Sequence, residues 1–209
     1  MRVLPMGPTA VIVEDVDDPA GWAAAFERNR PVGVVEVVPA ARTVLVVAAD
    51  ERSLRALVDL MHHVGPPGGD GPAPAASEGA ARSAATVVID VDYDGPDLDR
   101  VAAAVGMSPD DVVACHAGAV YRVAFCGFAP GFAYLTGLPA ELHLPRRTTP
   151  RTRVPAGSVA IASEYSALYP TASPGGWHLL GSTTATVFDV DRDPPAVLAP
   201  GTTVRFVPR

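Results

Sequence analysis

Four glycine- and proline-punctuated blocks between Gly127 and Trp177 hold the residue types best suited to chemistry. They are Gly127-Phe-Ala-Pro-Gly-Phe132, Pro145-Arg-Arg-Thr-Thr-Pro-Arg151, Val154-Pro-Ala-Gly-Ser158 and Ser173-Pro-Gly-Gly-Trp177. Glycine permits positive φ and close approach of a ligand to the main chain, and proline fixes φ, so these loops have defined shapes. Arg146, Arg147, Arg151 and Arg153 lie among them, and a planar guanidinium matches a carboxylate or phosphate with paired donors. Arg146 and Arg151 each follow a proline, and a bend at Pro150 brings both heads to one small anion. The competing reading pairs these arginines with Asp or Glu, or sets them against a partner protein.

Gly157 and Ser158 suit an oxyanion, through main-chain N–H groups and a hydroxyl, and suit equally a tight turn leading into a strand. Ser158 has no G-x-S-x-G setting and no neighbouring base, which argues against a nucleophile. His116 ends a predicted helix, where the negative dipole end favours the imidazolium; it is then fit to protonate a leaving group or hold a carboxylate. A helix-end cap without chemistry is the plain alternative. Phe128, Phe132 and Tyr134 alternate along one stretch as an apolar wall or as core, and Trp177 reads as pocket lid, interface anchor or core. His62, His63, His143 and His178 have no metal-ligand spacing with Cys or acids, so no metal centre is expected. Gly65–Gly71 lacks the G-K-[ST] ending of a P-loop.

The elements that must position these residues fall into two groups. Arg2–Leu4, Ala10–Glu14, Val32–Val38 and Thr43–Ala48 are strand-like runs, and helices are predicted over Pro19–Asn29 and Glu51–His63. Thr86–Val91 is expected to complete their sheet, giving an antiparallel sheet with both helices on one face and a domain over residues 1–92. Residues 65–85, rich in proline, glycine and alanine, read as a mobile loop within it. From residue 93 to 209 the pattern changes. Two short helices, Pro96–Val105 and Ser108–Ala117, precede short strands at Ala119–Ala124, Ser158–Ala162, Thr184–Val190 and Thr203–Val207, the pattern of a compact barrel or sandwich.

Composition excludes several classes. The 209 residues carry a formal net charge of −7, and the only dense basic run is 146–153, too short for a nucleic-acid footprint. No apolar run approaches the roughly 20 residues of a membrane helix. Two cysteines without C-x-x-C spacing, and no signal peptide, lead to the expectation of a reduced, cytoplasmic chain.

The order G-F-x-P-G-F-x-Y-L, P-R-x-x-x-P-R, V-P-A-G-S-V, Y-P and S-P-G-G-W, with Tyr93-Asp-Gly-Pro-Asp-Leu98 and His116 upstream, resembles the family of the 5-oxoprolinase B subunit. That family is also called allophanate hydrolase subunit 1 and includes a sporulation-kinase inhibitor. The resemblance implies an α+β chain: a small α/β N-terminal domain with an antiparallel sheet, and a cyclophilin-like β-barrel C-terminal domain. It implies a component of an ATP-dependent 5-oxoprolinase that opens 5-oxo-L-proline to L-glutamate, inactive alone. The implied partners are a homologue of the C-type subunit, and a LamB-like A-type one, with ATP and Mg²⁺ at a site shared between them. Inhibition of a sensor histidine kinase and carboxyl transfer in urea metabolism are the alternatives it allows. With the residue chemistry, it makes His116 and Arg151 the candidate catalytic residues. Arg146, Gly131, Phe132, Gly157, Ser158, Tyr169, Gly175, Gly176 and Trp177 are the candidate substrate-binding residues. Where many relatives read G-Q-T-x-I-Y-P, this chain has Glu164-Tyr-Ser-Ala-Leu-Tyr-Pro170, which makes that loop the place where substrate choice would differ.

Overall fold

Period-two alternation of aliphatic residues builds the first sheet. In the computed structural model, which describes residues 1–28, 30–64 and 86–209, β1 (Arg2–Pro5), β2 (Ala10–Glu14), β3 (Val34–Pro39) and β4 (Thr43–Ala48) pair antiparallel in the order β1-β2-β4-β3. Every second residue of β2 and β4 is buried: Val11 and Val13, then Val44, Val46 and Ala48. They share one cluster with Trp22, Ala23 and Phe26 of α1 (Pro19–Arg28) and Leu54, Leu57 and Met61 of α2 (Glu51–Val64). Both helices therefore cover the same face, as expected. Each fully buried Val, Leu or Phe contributes about 1.5–3 kcal/mol. Helix starts follow the acids: Asp18 Oδ1 accepts from the Gly21 amide at 2.9 Å and Asp50 Oδ1 from the Ser53 amide at 2.7 Å. The loop expected over 65–85 and the side chains of His62 and His63 lie outside the described residues.

The chain divides into units Met1–Ser83 and Ala84–Arg209, which corrects the expected boundary near residue 92. Strand β5 (Val87–Val91) does not complete the first sheet. It pairs in parallel with β13 (Thr203–Pro208), and its buried Ile89 and Val91 belong to the second unit's core. The residues after β5 hold it there, since Asp92 and Ser182 exchange two amide–carbonyl bonds of 2.8 Å.

That second unit contains α3 (Leu98–Val105), α4 (Pro109–Gly118), β6 (Tyr121–Cys126), β7 (Ala133–Thr136), β8 (Arg151–Val154), β9 (Ser158–Ala162), β10 (Tyr165–Leu168), β11 (Ser173–Gly175) and β12 (His178–Ser182). Seven strands form one sheet in the order β12-β9-β10-β7-β6-β13-β5, and the Asp92–Ser182 bridge joins its two edges, leaving a nearly closed barrel. The α+β architecture implied by the resemblance is thus the one observed. The barrel core takes Val101 and Ala102 from α3 and Val112 from α4. A capping box at Ser108, with Asp111 reciprocating, starts α4 where the sequence places it.

The paired strands β8 and β11 form a separate two-stranded sheet. All five residues of β9 are buried. Val159 and Ile161 join the barrel core, whereas Ala160 and Ala162 join a second cluster with Val154 of β8, Phe132, Tyr169 and Trp177. The sheet therefore has an apolar layer on each face. The expected strand Thr184–Val190 is not formed. Its backbone bonds locally instead, Val187 carbonyl to the Val197 amide and the Asp189 amide to the Pro195 carbonyl, because the barrel edge is already taken by Asp92. Among the described residues no helix is long and apolar enough to cross a membrane.

Candidate functional site

On the outer layer of the barrel sheet, Phe128, Phe132, Tyr134, Arg146, Tyr169, Pro174, Gly175, Gly176 and Trp177 line an open cleft. The first glycine block makes one wall. Phe132 accepts from the Gly127 amide through its carbonyl and donates to the Ala129 carbonyl. Gly131, at φ +77°, passes so close to Phe188 that a Cβ would collide with it. Gly131 therefore shapes the turn and does not itself line the cleft. Phe128 is a non-glycine residue at φ +72° and 61% exposed, a strained conformation at the mouth. Phe132 packs edge-on against Tyr169 at 5.1 Å and Trp177 at 5.7 Å, and Tyr134 against Trp177 at 5.6 Å. Gly175 touches the Tyr169 ring so closely that a Cβ would strike its hydroxyl.

Charge enters from the second block. The Arg146 guanidinium lies 5.9 Å from the Trp177 ring centroid, and Arg146 makes no ion pair among the described residues. Its cation is free for an anion beside an apolar ring face. Burial pushes the Tyr169 phenol up to about 12, against the pull of the Arg146 and Arg151 cations, so it is a neutral donor at pH 7.

The expected convergence of Arg146 with Arg151 does not occur. Arg151 converges instead with Arg147 on the buried carboxylate of Asp97, so it is not placed as a catalytic group. Asp97 Oδ1 accepts from Arg147 Nη1 at 2.6 Å and from Arg151 Nη2 at 2.9 Å, while Oδ2 accepts from the Leu179 amide at 2.8 Å. Arg151 Nη1 is 2.9 Å from Oδ2 but lacks hydrogen-bond geometry. Burial raises the Asp97 carboxyl, but these hydrogen bonds and both cations outweigh it and hold the group below its ordinary value. Breaking such a buried pair by removing one partner costs about 3–5 kcal/mol. With its carboxylate so engaged, Asp97 precedes α3 without capping it.

Gly157 and Ser158 form a turn and no oxyanion site. The Gly157 amide donates to the Tyr169 carbonyl at 2.8 Å, and the Ser158 hydroxyl and amide both donate to the Pro155 carbonyl. The Gly157 and Ser158 amides, the donors expected to meet an oxyanion, are thus both spent within the fold.

His116 is displaced from the site altogether. It is completely buried, bonded through Nδ1 to the Tyr93 hydroxyl at 2.7 Å and through Nε2 to the Ser166 hydroxyl at 2.9 Å. Its ring stacks on Phe206 of the barrel core at 4.9 Å. Ser166 and Ala167 alternate along β10, and Ala167 belongs to the cleft-side cluster, so His116 lies across the sheet from the cleft. Nor is it cationic. A helix end contributes up to about 2 kcal/mol, and burial outweighs it, pulling the imidazole down to about 3.

Sequence reasoning missed Asp97 and Arg147 as a unit. The signal present was the Pro96-Asp97-Leu98 start, which reads as an ordinary helix cap. In the altered loop, Ser166 faces the core and bears on His116, whereas Tyr165 packs edge-on against the cleft-lining Tyr134 at 5.7 Å.

Comparison with known proteins places this geometry. A model of the carboxyltransferase domain, subdomains C and D, matches residues 1–198. The chain is 53% identical over 115 residues to a protein named as the B subunit of 5-oxoprolinase in Escherichia coli O157:H7, a match covering 55% of this chain and 53% of that protein. The chain thus spans about half the length of the curated relatives it matches. The solved structure of TTHA0988 superposes with a TM-score of 0.74 at 34% identity, covering 96% of this chain and 39% of the other. PH0987 from Pyrococcus horikoshii gives 0.58 at 32% identity, covering 100% and 97%.

Proposed function

We propose, because this chain belongs to the carboxyltransferase-domain family of subdomains C and D, that it is the B subunit of a heteromeric 5-oxoprolinase and uses the aromatic cleft to hold 5-oxo-L-proline. The observation that carries this reading is Arg146, an unpaired cation poised over Trp177 in a cleft walled by aromatic rings. A five-membered lactam bearing one carboxylate fits that chemistry. Arg146 takes the carboxylate, the rings of Phe132 and Trp177 take the apolar ring face, and the Tyr169 hydroxyl donates to the lactam carbonyl. Such a donor polarises the amide for attack, and the aromatic walls exclude competing water.

The same cleft supplies no nucleophile and no base, so ring opening falls to groups from partner proteins. The proposed partners are a homologue of the C-type subunit, and a LamB-like A-type one. The equivalent fold occupies 39% of TTHA0988, which supports a unit that works beside further protein. ATP supplies the energy for lactam opening in this reading. Among the described residues no three His, Cys, Asp or Glu side chains are grouped to hold a metal ion, and Arg147 and Arg151 are committed to Asp97. Arg146 is then the one uncommitted arginine of the cleft, too little for a triphosphate, and in this reading the nucleotide binds at surfaces the partners complete.

The test is reconstitution with those two partners, scored by L-glutamate release. The chain alone gives none, the complete set gives ATP-dependent turnover, and Arg146→Ala raises KM for 5-oxoproline about tenfold or more, the worth of one charged hydrogen bond. Glutamate output that is unchanged when this chain is omitted would overturn the proposal.

A further inference from the structure

We infer that Asp97 is a positioning residue of the cleft, acting through Arg147 and Arg151. It deepens the reading of the cleft as a ligand site and rests on it. Asp97 contributes to no cleft wall and is 2% exposed, yet its carboxylate reaches three separate segments that do.

The first segment is the loop carrying Arg146. Arg147 is its neighbour, and while Arg147 Nη1 donates to Asp97, the Arg147 amide donates to the Gly176 carbonyl at 2.8 Å. The second is the β8–β11 pair, in which Arg151 stands opposite Gly175, the residue against the Tyr169 hydroxyl. The third is β12, whose Leu179 amide bonds Asp97 Oδ2 two residues after Trp177. One carboxylate therefore sets where the free cation, the glycine wall and the indole meet.

Among the described residues the side chains of these arginines have no second anchor. Arg147 Nε and Arg151 Nη1 are buried without hydrogen bonds, so the direction of each guanidinium depends on Asp97. For stability alone, a buried charge cluster is a poor device, because apolar packing of similar volume often serves as well or better. Two guanidinium groups on one carboxylate also leave a surplus positive charge, and the Tyr169 phenol already feels the Arg151 cation. Asp97 thus fixes geometry and leaves the cleft electropositive.

The chain has two tryptophans, so Trp22→Phe leaves Trp177 as sole reporter. In that background, Asp97→Asn keeps the size of the side chain and removes its charge. Three quantities are measured at 25 °C: the unfolding midpoint, acrylamide quenching of Trp177, and the Kd for 5-oxo-L-proline by fluorescence titration. Positioning predicts that Kd rises about tenfold or more, as for a lost charged hydrogen bond, and that Trp177 becomes more quenchable in protein still folded by circular dichroism. A purely structural role lowers the midpoint and moves neither of the other two, which would overturn the inference. If Asp97→Asn does not fold, Arg147→Gln, which removes one arm and spares the Asp97–Arg151 contact, is read the same way against the same two criteria. Failure of the parent protein to bind 5-oxoproline counts against the ligand reading of the cleft, and quenching alone then decides the positioning role.

Discussion

Acidification from pH 7.5 to 4.5 should destabilise the second unit through His116 alone by about 3 kcal/mol. The folded state holds the imidazole neutral down to about pH 3 because the ring is sealed among Tyr93, Tyr121, Ser166 and Phe206. The unfolded chain takes up that proton below about 6.5. The stabilising contribution is therefore complete above pH 6.5 and is lost as pH falls towards 3, at about 1.36 kcal/mol per unit. Two units below 6.5 give the figure stated. The assay is urea unfolding at both pH values, followed by Trp177 fluorescence in Trp22→Phe protein, with His116→Gln alongside. Glutamine keeps a donor and an acceptor and does not titrate. Its loss on acidification should be smaller than that of the parent by about 2–3 kcal/mol. Asp97 does not obscure the comparison: its depressed carboxyl contributes stability that is largely present above the ordinary carboxyl value of 3.8, and it is common to both proteins. Equal acid sensitivity in the two proteins would show that His116 accepts a proton while folded, and would refute the burial argument.

Two further outcomes separate turn from site. Ser158→Ala removes the 2.8 Å bond to the Pro155 carbonyl and should cost about 0.5–1.5 kcal/mol in thermal unfolding, with 5-oxoproline affinity held within about twofold; a large affinity loss would return Ser158 to the site. Gly175→Ala places a methyl against the Tyr169 hydroxyl and should weaken 5-oxoproline binding about tenfold while circular dichroism stays unchanged, and unaltered affinity would remove Tyr169 from ligand contact.

Where the chain's instructions were local, they were legible in the sequence. The Ser108 capping box, the alternation in β2 and β4 and the run Ser158–Ala162 each specify an element through neighbours within a few residues, and each is found where expected. The errors fall where long-range partners decide. Thr86–Val91 has the composition to extend either sheet, and only pairing with β13 assigns it. His116 has a helix-end dipole in its favour, but its charge state is fixed by Tyr93, Ser166 and Phe206, from three distant segments. The arginine block announced an anion, and the anion for two of the three cation heads near the cleft proved to be Asp97 of the same chain. Arg146 alone has no acidic partner among the described residues, because it points to Trp177 while its neighbour turns to the carboxylate. The aromatic wall of Phe128, Phe132 and Tyr134 was readable from spacing, although its strain at Phe128 was not.

The parallel pairing of β5 with β13 has a consequence for the order of assembly. Val87 lies opposite Val204, so the first strand of the barrel waits for its neighbour until every intervening strand has been synthesised. Until then β5 and β6 present open edges, and contacts this distant in sequence make for slow closure. A nascent chain halted before Thr203 would carry an unsealed sheet with Ile89, Val91 and Tyr121 uncovered. The barrel is thus completed only when β13 has been made, and the exposed interval before it is the one a chaperone would have to cover.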